Sequence, residues 1–376
     1  MSRRPGVRFG MAQVLAALLL LVFLAQGTWL ILRGPLNNEE SGFINGQDDS
    51  NGGGAGDVAN PAQFSMLTAR MARWIAWIEP APMAEQRVAA ARLPFLLFGT
   101  MLGASVWYVA RRLYGNAGGY IALALFVFSP IMLTYAARVQ PNIATTWAIF
   151  GCIFTAIAVA HTLYAPREVV LWNWRRILLL GLAIGLGAAS SFPTIYAIPV
   201  ALGFMLWVVP ERRAAAVAIM GAACLVGTAI VVAVYSFDLM ALAHAFARSG
   251  LFDVRLAGVM AAGRMAARFF LRNGPGSVLL LVVALVTYAA WPRARFFGNT
   301  APLLITAMLI LAVIVLPHAA GVPFLVAALP FTFVFIAGVF ADLLETRQGS
   351  LVLGVLLAVV VANALFSISA LTLLRR

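Results

Sequence analysis

Residues Arg92–Ala160 read RLPFLLFGTMLGASVWYVARRLYGNAGGYIALALFVFSPIMLTYAARVQPNIATTWAIFGCIFTAIAVA. This stretch contains three apolar segments, separated by two short polar breaks at 111–116 and 135–142. The segments approach the roughly 20 residues that a helix needs to cross a bilayer. Paired arginines, Arg111 and Arg112, predict that the first break is cytoplasmic, because positively charged short loops stay inside. The second break is then predicted on the outer side.

The composition predicts an all-α polytopic membrane protein. The chain has 376 residues, of which 63% are hydrophobic and 10% charged, whereas soluble domains carry about 25% charged residues. The net charge of +13 comes entirely from arginines. These are spread among short loops, which is not typical of a nucleic-acid-binding patch, so no nucleic-acid partner is expected. Cys152 and Cys224 lie inside apolar runs, without the spacing of a disulfide framework or a metal site.

The whole chain is predicted to form a single transmembrane domain, 1–376, with about eleven transmembrane helices. The first, Met11–Leu32, follows an arginine-rich start, so the N-terminus is predicted to be cytoplasmic. The expected location is the cell membrane, with a multi-pass topology typical of the bacterial inner membrane. No internal repeat is visible, which disfavours a transporter built from inverted repeats.

Two outer segments are expected to carry amphipathic helices on the outer face. The first is the outer loop 33–92, with a flexible stretch at 45–60, where glycines resist ordering. Its part 61–78 has apolar residues at helical spacing but is too polar to span, which predicts a surface helix. The second is 236–273, which is rich in arginine.

The order of motifs resembles the GT-C class of membrane glycosyltransferases, which includes protein O-mannosyltransferases and aminoarabinose transferases. The agreeing motifs are RLP at 92–94, ARRLYG at 110–115, FSP at 128–130, YAARVQP at 135–141, the glycine-rich 181–199 and GVPFLVAALP at 321–330. The resemblance implies a GT-C-like fold and a polyprenyl-phosphate sugar as donor. Membrane lipid is the other expected partner of the protein. The resemblance names neither the sugar nor the acceptor, and protein partners and oligomeric state stay open.

The chemistry implied by this resemblance needs a carboxylate to accept the acceptor's proton and cations to hold the donor phosphate. Glu39 and Glu40, just after the first helix, are the candidate catalytic residues, although they could simply be solvated loop acids. Arg138 is the first candidate for the lipid phosphate, although it could instead snorkel to the interface. Further phosphate candidates are Arg70, Arg73 and Arg255; candidates for substrate binding are Asn142 and His244. No cofactor and no metal site are predicted, and a need for a divalent metal stays open.

One departure from the family pattern leaves catalysis open. Asn142 stands where the resembled family has an aspartate, so a carboxylate has become an amide. The first hypothesis is an active glycosyltransferase working at the outer face. The alternatives are a catalytically degenerate relative that binds lipid-linked glycans or a partner, and a transporter or flippase. The predicted spans have few polar residues, which disfavours a transporter.

Overall fold

The computed structural model describes residues 10–35, 40, 84–164, 174–249, 251, 259–316, 320–346 and 348–373. These residues form α-helices and short 3-10 turns, and the described parts contain no strand. The helices are α1 Met11–Arg33, α2 Ala84–Val127, α3 Pro130–Ala136, α4 Asn142–Thr162, α5 Trp174–Ser190, α6 Ala197–Val208, α7 Arg213–Val234, α8 Leu239–Arg248, α9 Val259–Arg272, α10 Pro275–Ala290, α11 Phe297–Val315, α12 Gly321–Leu344 and α13 Gly349–Leu373.

Helix α12 is the centre of the bundle. All its side chains from Phe324 to Ala341 are buried, and it packs against α2, α4, α10, α11 and α13. Its sequence is apolar on every side, which is the pattern of a helix enclosed by others. Phe331 packs against Phe150 and Phe154 of α4, with ring centroids 5.1 and 5.6 Å away. By contrast, α7 and α13 bury few of their side chains, as expected for helices that face lipid.

Helix α2 bends back on itself at Gly115, which adopts φ 74°, a backbone conformation that favours glycine. Its return leg lies against the outgoing leg, since Gly103 faces Phe126, and α3 continues along the outgoing leg, since Gly99 faces Ala136. The two polar breaks of the opening stretch therefore lie at opposite ends of the bundle, as predicted. We call them the Tyr114 end, where the Tyr114 hydroxyl donates to the Gly298 carbonyl, and the Arg138 end.

The glycine-rich segment brings α5 and α7 unusually close together. A Cβ on Gly185 would lie 2.8 Å from the Gly227 carbonyl oxygen, and one on Gly181 would lie 2.9 Å from that of Ala223. Small residues permit such backbone approach between helices in a membrane. After Ser190 the helix stops, and a 3-10 turn, Phe192–Tyr196, leads into α6.

Seven helices in the described residues are long and apolar enough to cross a membrane, or eight if the bent pair α9 and α10 forms one span. The multi-pass membrane architecture is thus supported, while the count of about eleven remains a prediction. The other predicted crossings correspond to short or merged helices: the return leg of α2, the 17-residue α5, the short Phe192–Val208 unit and α10.

The topology gives a first testable expectation. With Cys152 and Cys224 replaced by alanine, a cysteine at Arg112, at the Tyr114 end, should react with an impermeant maleimide only after the cells are permeabilised. A cysteine at Met240, which is 70% exposed and follows α7 at the Arg138 end, should react in intact cells. Both expectations follow from a cytoplasmic N-terminus. The reverse labelling pattern would invert the orientation.

Candidate functional site

The guanidinium of Arg92 ties together three segments at the Arg138 end. Its Nε and Nη2 donate to the two carboxylate oxygens of Glu40, at 3.0 and 2.7 Å. Nη1 also donates to the carbonyls of Ile31 and Gly34, and Nη2 to that of Pro35, each at 3.1 Å. A guanidinium has five N–H donors, so every donor of Arg92 is used. Arg92 therefore binds the C-terminal end of α1 to α2 and has no donor left for a ligand.

Glu40 is completely buried in this arrangement. Besides Arg92, its Oε1 accepts a hydrogen bond from the Val139 backbone N–H at 2.9 Å. One carboxylate thus connects the segment after α1 with the turn between α3 and α4. A buried carboxylate needs such compensation, because an ion that leaves water loses its hydration. We call Arg92 and Glu40 the buried ion pair.

Arg138 lies beside the buried ion pair but differs from Arg92 in its surroundings. It is half-buried and immediately precedes Val139, whose N–H binds Glu40. Arg138 and Arg92 contribute to one groove, which is lined in addition by Leu30, Gly34, Pro35, Thr134 and Ala137. Within the described part of the chain, the Arg138 guanidinium has no ion-pair partner. It is therefore the arginine of this groove that is available to an anion.

Helix α3 and the turn after it position Arg138. Ser129 caps the helix by accepting a hydrogen bond from the Met132 N–H at 3.1 Å, and Pro130 occupies its first turn. Helix α3 ends after two turns, because the chain changes direction before Pro141, and α4 begins at Asn142. Asn142 is buried, with 9% of its surface exposed, and its backbone carbonyl accepts a hydrogen bond from the Thr146 hydroxyl at 2.7 Å.

Comparisons with known proteins identify this arrangement of helices. Residues 68–237 match the sequence model of the dolichyl-phosphate-mannose-protein mannosyltransferase family, which is somewhat less than half of the chain. Crystal structures of the Archaeoglobus fulgidus oligosaccharyltransferase share the fold. The fold is that of the GT-C class. The class inferred from the sequence motifs is thereby confirmed.

The structural match extends over nearly the whole chain at low sequence identity. The oligosaccharyltransferase tethered with an acceptor peptide gives a TM-score of 0.55 at 10% identity, covering 95% of this chain and 54% of that one. The oligosaccharyltransferase AglB from Archaeoglobus fulgidus, in complex with an inhibitory peptide and a dolichol-phosphate, gives a TM-score of 0.54 at 12% identity, covering 96% of this chain and 56% of that one. This chain thus spans about half the length of the solved structures it matches. No curated protein has a significantly matching sequence.

Within the GT-C fold, the structure brings together only some of the predicted site residues. Glu40, Arg138 and Asn142 lie at one end, and the first two are linked through Val139. Glu40 is buried against Arg92 rather than open to a cavity. The predicted residues and segments that lie outside the described residues are Glu39, Arg70, Arg73, Arg255, the predicted flexible stretch 45–60 and the predicted surface helix 61–78.

His244 belongs to the predicted outer segment 236–273 and does not line the groove of Arg92 and Arg138. It is exposed on the amphipathic helix α8, which is capped by Asp238, whose carboxylate accepts a hydrogen bond from the Ala241 N–H at 2.9 Å. Ala245 of this helix packs in a small cluster with Phe192 and Tyr235. Burial raises the pKa of the Tyr235 phenol to about 12. The role of His244 in substrate binding remains a prediction.

The residue that sequence reasoning missed is Arg92. Its signal was present, because an arginine at the start of an apolar segment is costly unless it finds a partner. The partner, 52 positions earlier, is not evident from local pattern. Among the described residues no group of three or more His, Cys, Asp or Glu side chains could hold a metal ion.

Proposed function

We propose that this chain is a membrane glycosyltransferase that transfers a sugar from a polyprenyl-phosphate donor to an acceptor at the Arg138 end. The observation that carries the proposal is that two arginines in one groove differ in their partners. Arg92 is fully engaged in the buried ion pair, whereas Arg138 has no ionic partner in the described residues. The GT-C fold supports a glycosyltransferase.

Arg138 has the properties that a donor phosphate requires. Its planar guanidinium can form two parallel hydrogen bonds to phosphate oxygens. Negative charge accumulates on that phosphate when the sugar–oxygen bond breaks, and a positioned cation stabilises this charge. Leu30 and Ala137, which line the same groove, offer an apolar surface against which a polyprenyl chain could pack. We expect the phosphate to lie against Arg138 and the chain to leave toward lipid.

The proton of the acceptor hydroxyl is assigned to Glu39 rather than to Glu40. Both carboxylate oxygens of Glu40 already accept hydrogen bonds, and protonation would leave Arg92 as an uncompensated buried cation. Glu40 instead acts as an anchor at the groove. Its neighbour Glu39 is joined to it by a peptide bond and supplies the second carboxylate of this segment.

A second candidate function rests on Asn142. An amide cannot accept a proton as a carboxylate does, so a chain that depended on the resembled family's aspartate at this place would bind lipid-linked sugars without transferring them. Arg138 would then hold the phosphate in the same groove. The membrane setting and the fold are common to both candidates.

The purified protein, incubated with a polyprenyl-phosphate carrying a labelled sugar and with membrane extract as acceptor source, separates these candidates. We expect labelled product and released polyprenyl phosphate in equal amounts, at a rate proportional to protein concentration. Retention of labelled donor on the protein without release of polyprenyl phosphate would favour the binding candidate. Absence of both retention and release, across donors with common hexoses and pentoses, would overturn the proposal.

A further inference from the structure

A second polar site lies where α9 turns into α10. The two helices meet at 112°, and Gly274 between them has φ 116°. Asn363 of α13 packs so closely on Gly274 that a Cβ there would overlap its side-chain oxygen. The Asn363 Nδ2 donates to the Phe128 carbonyl at 3.0 Å. Next to it, the Ser129 hydroxyl donates to the Asn273 side-chain oxygen. Four segments, from α3, α9, α10 and α13, therefore meet at this corner.

The corner holds polar atoms that have no protein partner. We define the corner cluster as Asn273, Ser277, Asn363 and Ser367. Their exposed fractions are 1%, 6%, 2% and 0%. In the part of the chain that the structure describes, four of their atoms lack a hydrogen-bond partner: Asn273 Nδ2, Ser277 Oγ, Asn363 Oδ1 and Ser367 Oγ. Buried polar atoms are rarely left unpaired, since each then loses its hydration without compensation.

The residues that carry these atoms are neighbours at the corner. Asn363 Oδ1 would be 3.7 Å from a Cβ on Gly276, the residue before Ser277, and Ser367 lies one helical turn beyond Asn363 on the same face of α13. Asn273 is bonded directly to Gly274, on which Asn363 packs. Helix α10, which has 16 residues, also begins here, and the backbone N–H groups of its first turn have no preceding turn to bond to.

The chemistry of the cluster selects an uncharged ligand. It offers an amide donor, an amide acceptor and two hydroxyls that can do either, and it contains no charged side chain. Arg272, the nearest arginine in sequence, is exposed. An ion placed here would leave water without a countercharge. A hydroxyl group, which donates and accepts at once, matches every unpaired atom.

We propose that the corner cluster is a binding site for hydroxyl groups, separate from the Arg138 groove. Two sources offer that chemistry: water molecules held in the fold, and the hydroxyls of a sugar. The cluster and the groove lie at opposite ends of α3, whose seven residues span about 10 Å. The inference does not require transfer activity, because it rests on the unpaired atoms alone.

Substitution of the two serines tests the site. In detergent solution, the melting temperatures of Ser277→Ala, Ser367→Ala and the double variant are compared with wild type. If the hydroxyls bind a ligand, each variant should melt lower, on the order of 2 °C or more. If they are truly unpaired, alanine should leave the melting temperature unchanged or raise it. The matched control is Ser105→Ala, whose exposed hydroxyl only bonds the Met101 carbonyl of its own helix.

Added sugar distinguishes the two sources. Millimolar mannose, glucose or N-acetylglucosamine should raise the melting temperature of wild type more than that of the double variant if sugar hydroxyls occupy the site. An equal response of both proteins, together with destabilised serine variants, assigns the site to water. Serine variants that melt at or above the wild-type temperature, with no sugar-dependent difference, would overturn the proposal. Failure of the control to match wild type would show that serine removal in general destabilises the fold, which would also contradict it.

Discussion

Replacement of Arg92 by methionine is expected to lower the free energy of unfolding by about 3–5 kcal/mol. The change leaves the Glu40 carboxylate buried with no countercharge, and it removes the donors that satisfy the carbonyls of Ile31, Gly34 and Pro35. Thermal unfolding in detergent, monitored by size-exclusion chromatography, measures the loss of stability. Because the buried ion pair joins α1, α2 and the turn at Val139, the expected effect is larger than that of an ordinary surface arginine.

Two further variants show whether the stability depends on the buried ion pair or on the arginine alone. The double variant Arg92→Met, Glu40→Leu removes both charges and should recover part of the stability lost by the single variant, since no uncompensated charge remains. Arg293→Met breaks the exposed pair with Glu345, 3.1 Å apart and with side chains 63% and 68% exposed, and should cost at most about 1 kcal/mol. An Arg92→Met protein as stable as Arg293→Met would contradict the anchoring role.

Replacement of Glu39 by glutamine is expected to reduce the rate of sugar transfer by roughly 10²–10⁴-fold while the protein stays folded. Glutamine keeps the shape of the side chain but cannot accept the acceptor's proton. The measurement is the steady-state rate with labelled donor, together with the melting temperature. Donor affinity should change little, because the phosphate is assigned to Arg138.

Glu40→Gln is the matched comparison at the neighbouring position. This variant should lower the melting temperature, because Arg92 loses its counterion, and any loss of rate should accompany that loss of stability. A folded Glu40→Gln protein that has lost its rate at an unchanged melting temperature would move the base to Glu40. Wild-type rates in Glu39→Gln would remove Glu39 from the mechanism.

Much of the fold is visible in local sequence pattern. Apolar runs give the helices, and the breaks at Gly115, at Pro141 and between Ser190 and Pro193 occur where glycine, proline or serine interrupts them. Arg111 and Arg112 correctly mark the end opposite Arg138. These features are local, so composition and spacing over a few turns are sufficient to predict them.

The count of about eleven crossings remains a prediction, because length and hydropathy judge each helix alone. The return leg of α2 and the short helices α5 and α6 pack against neighbouring helices, so they need not satisfy the length of an isolated span. The central position of α12 is likewise a property of the assembly, although its uniformly apolar surface is consistent with it.

The site itself depends on contacts between distant parts of the chain. Arg92 and Glu40 are 52 positions apart, and Asn363 and Phe128 are separated by 235. Sequence reasoning selected Glu40 and Arg138 by their position near predicted helix ends, which was sufficient to place both at one end. It could not show that Arg92 engages Glu40 completely, since this depends on the path of the chain after α1.

If Arg138 holds the phosphate of the lipid-linked donor, as proposed, the kcat/KM for labelled donor should depend on its guanidinium. Arg138→Ala should reduce kcat/KM by about 10²–10³-fold. Arg138→Lys should have a kcat/KM between those of Arg138→Ala and wild type, because a point charge replaces a bidentate contact. Arg112→Lys, the same exchange on an exposed residue at the Tyr114 end, should leave kcat/KM unchanged. A folded Arg138→Ala protein with wild-type kcat/KM would contradict the claim.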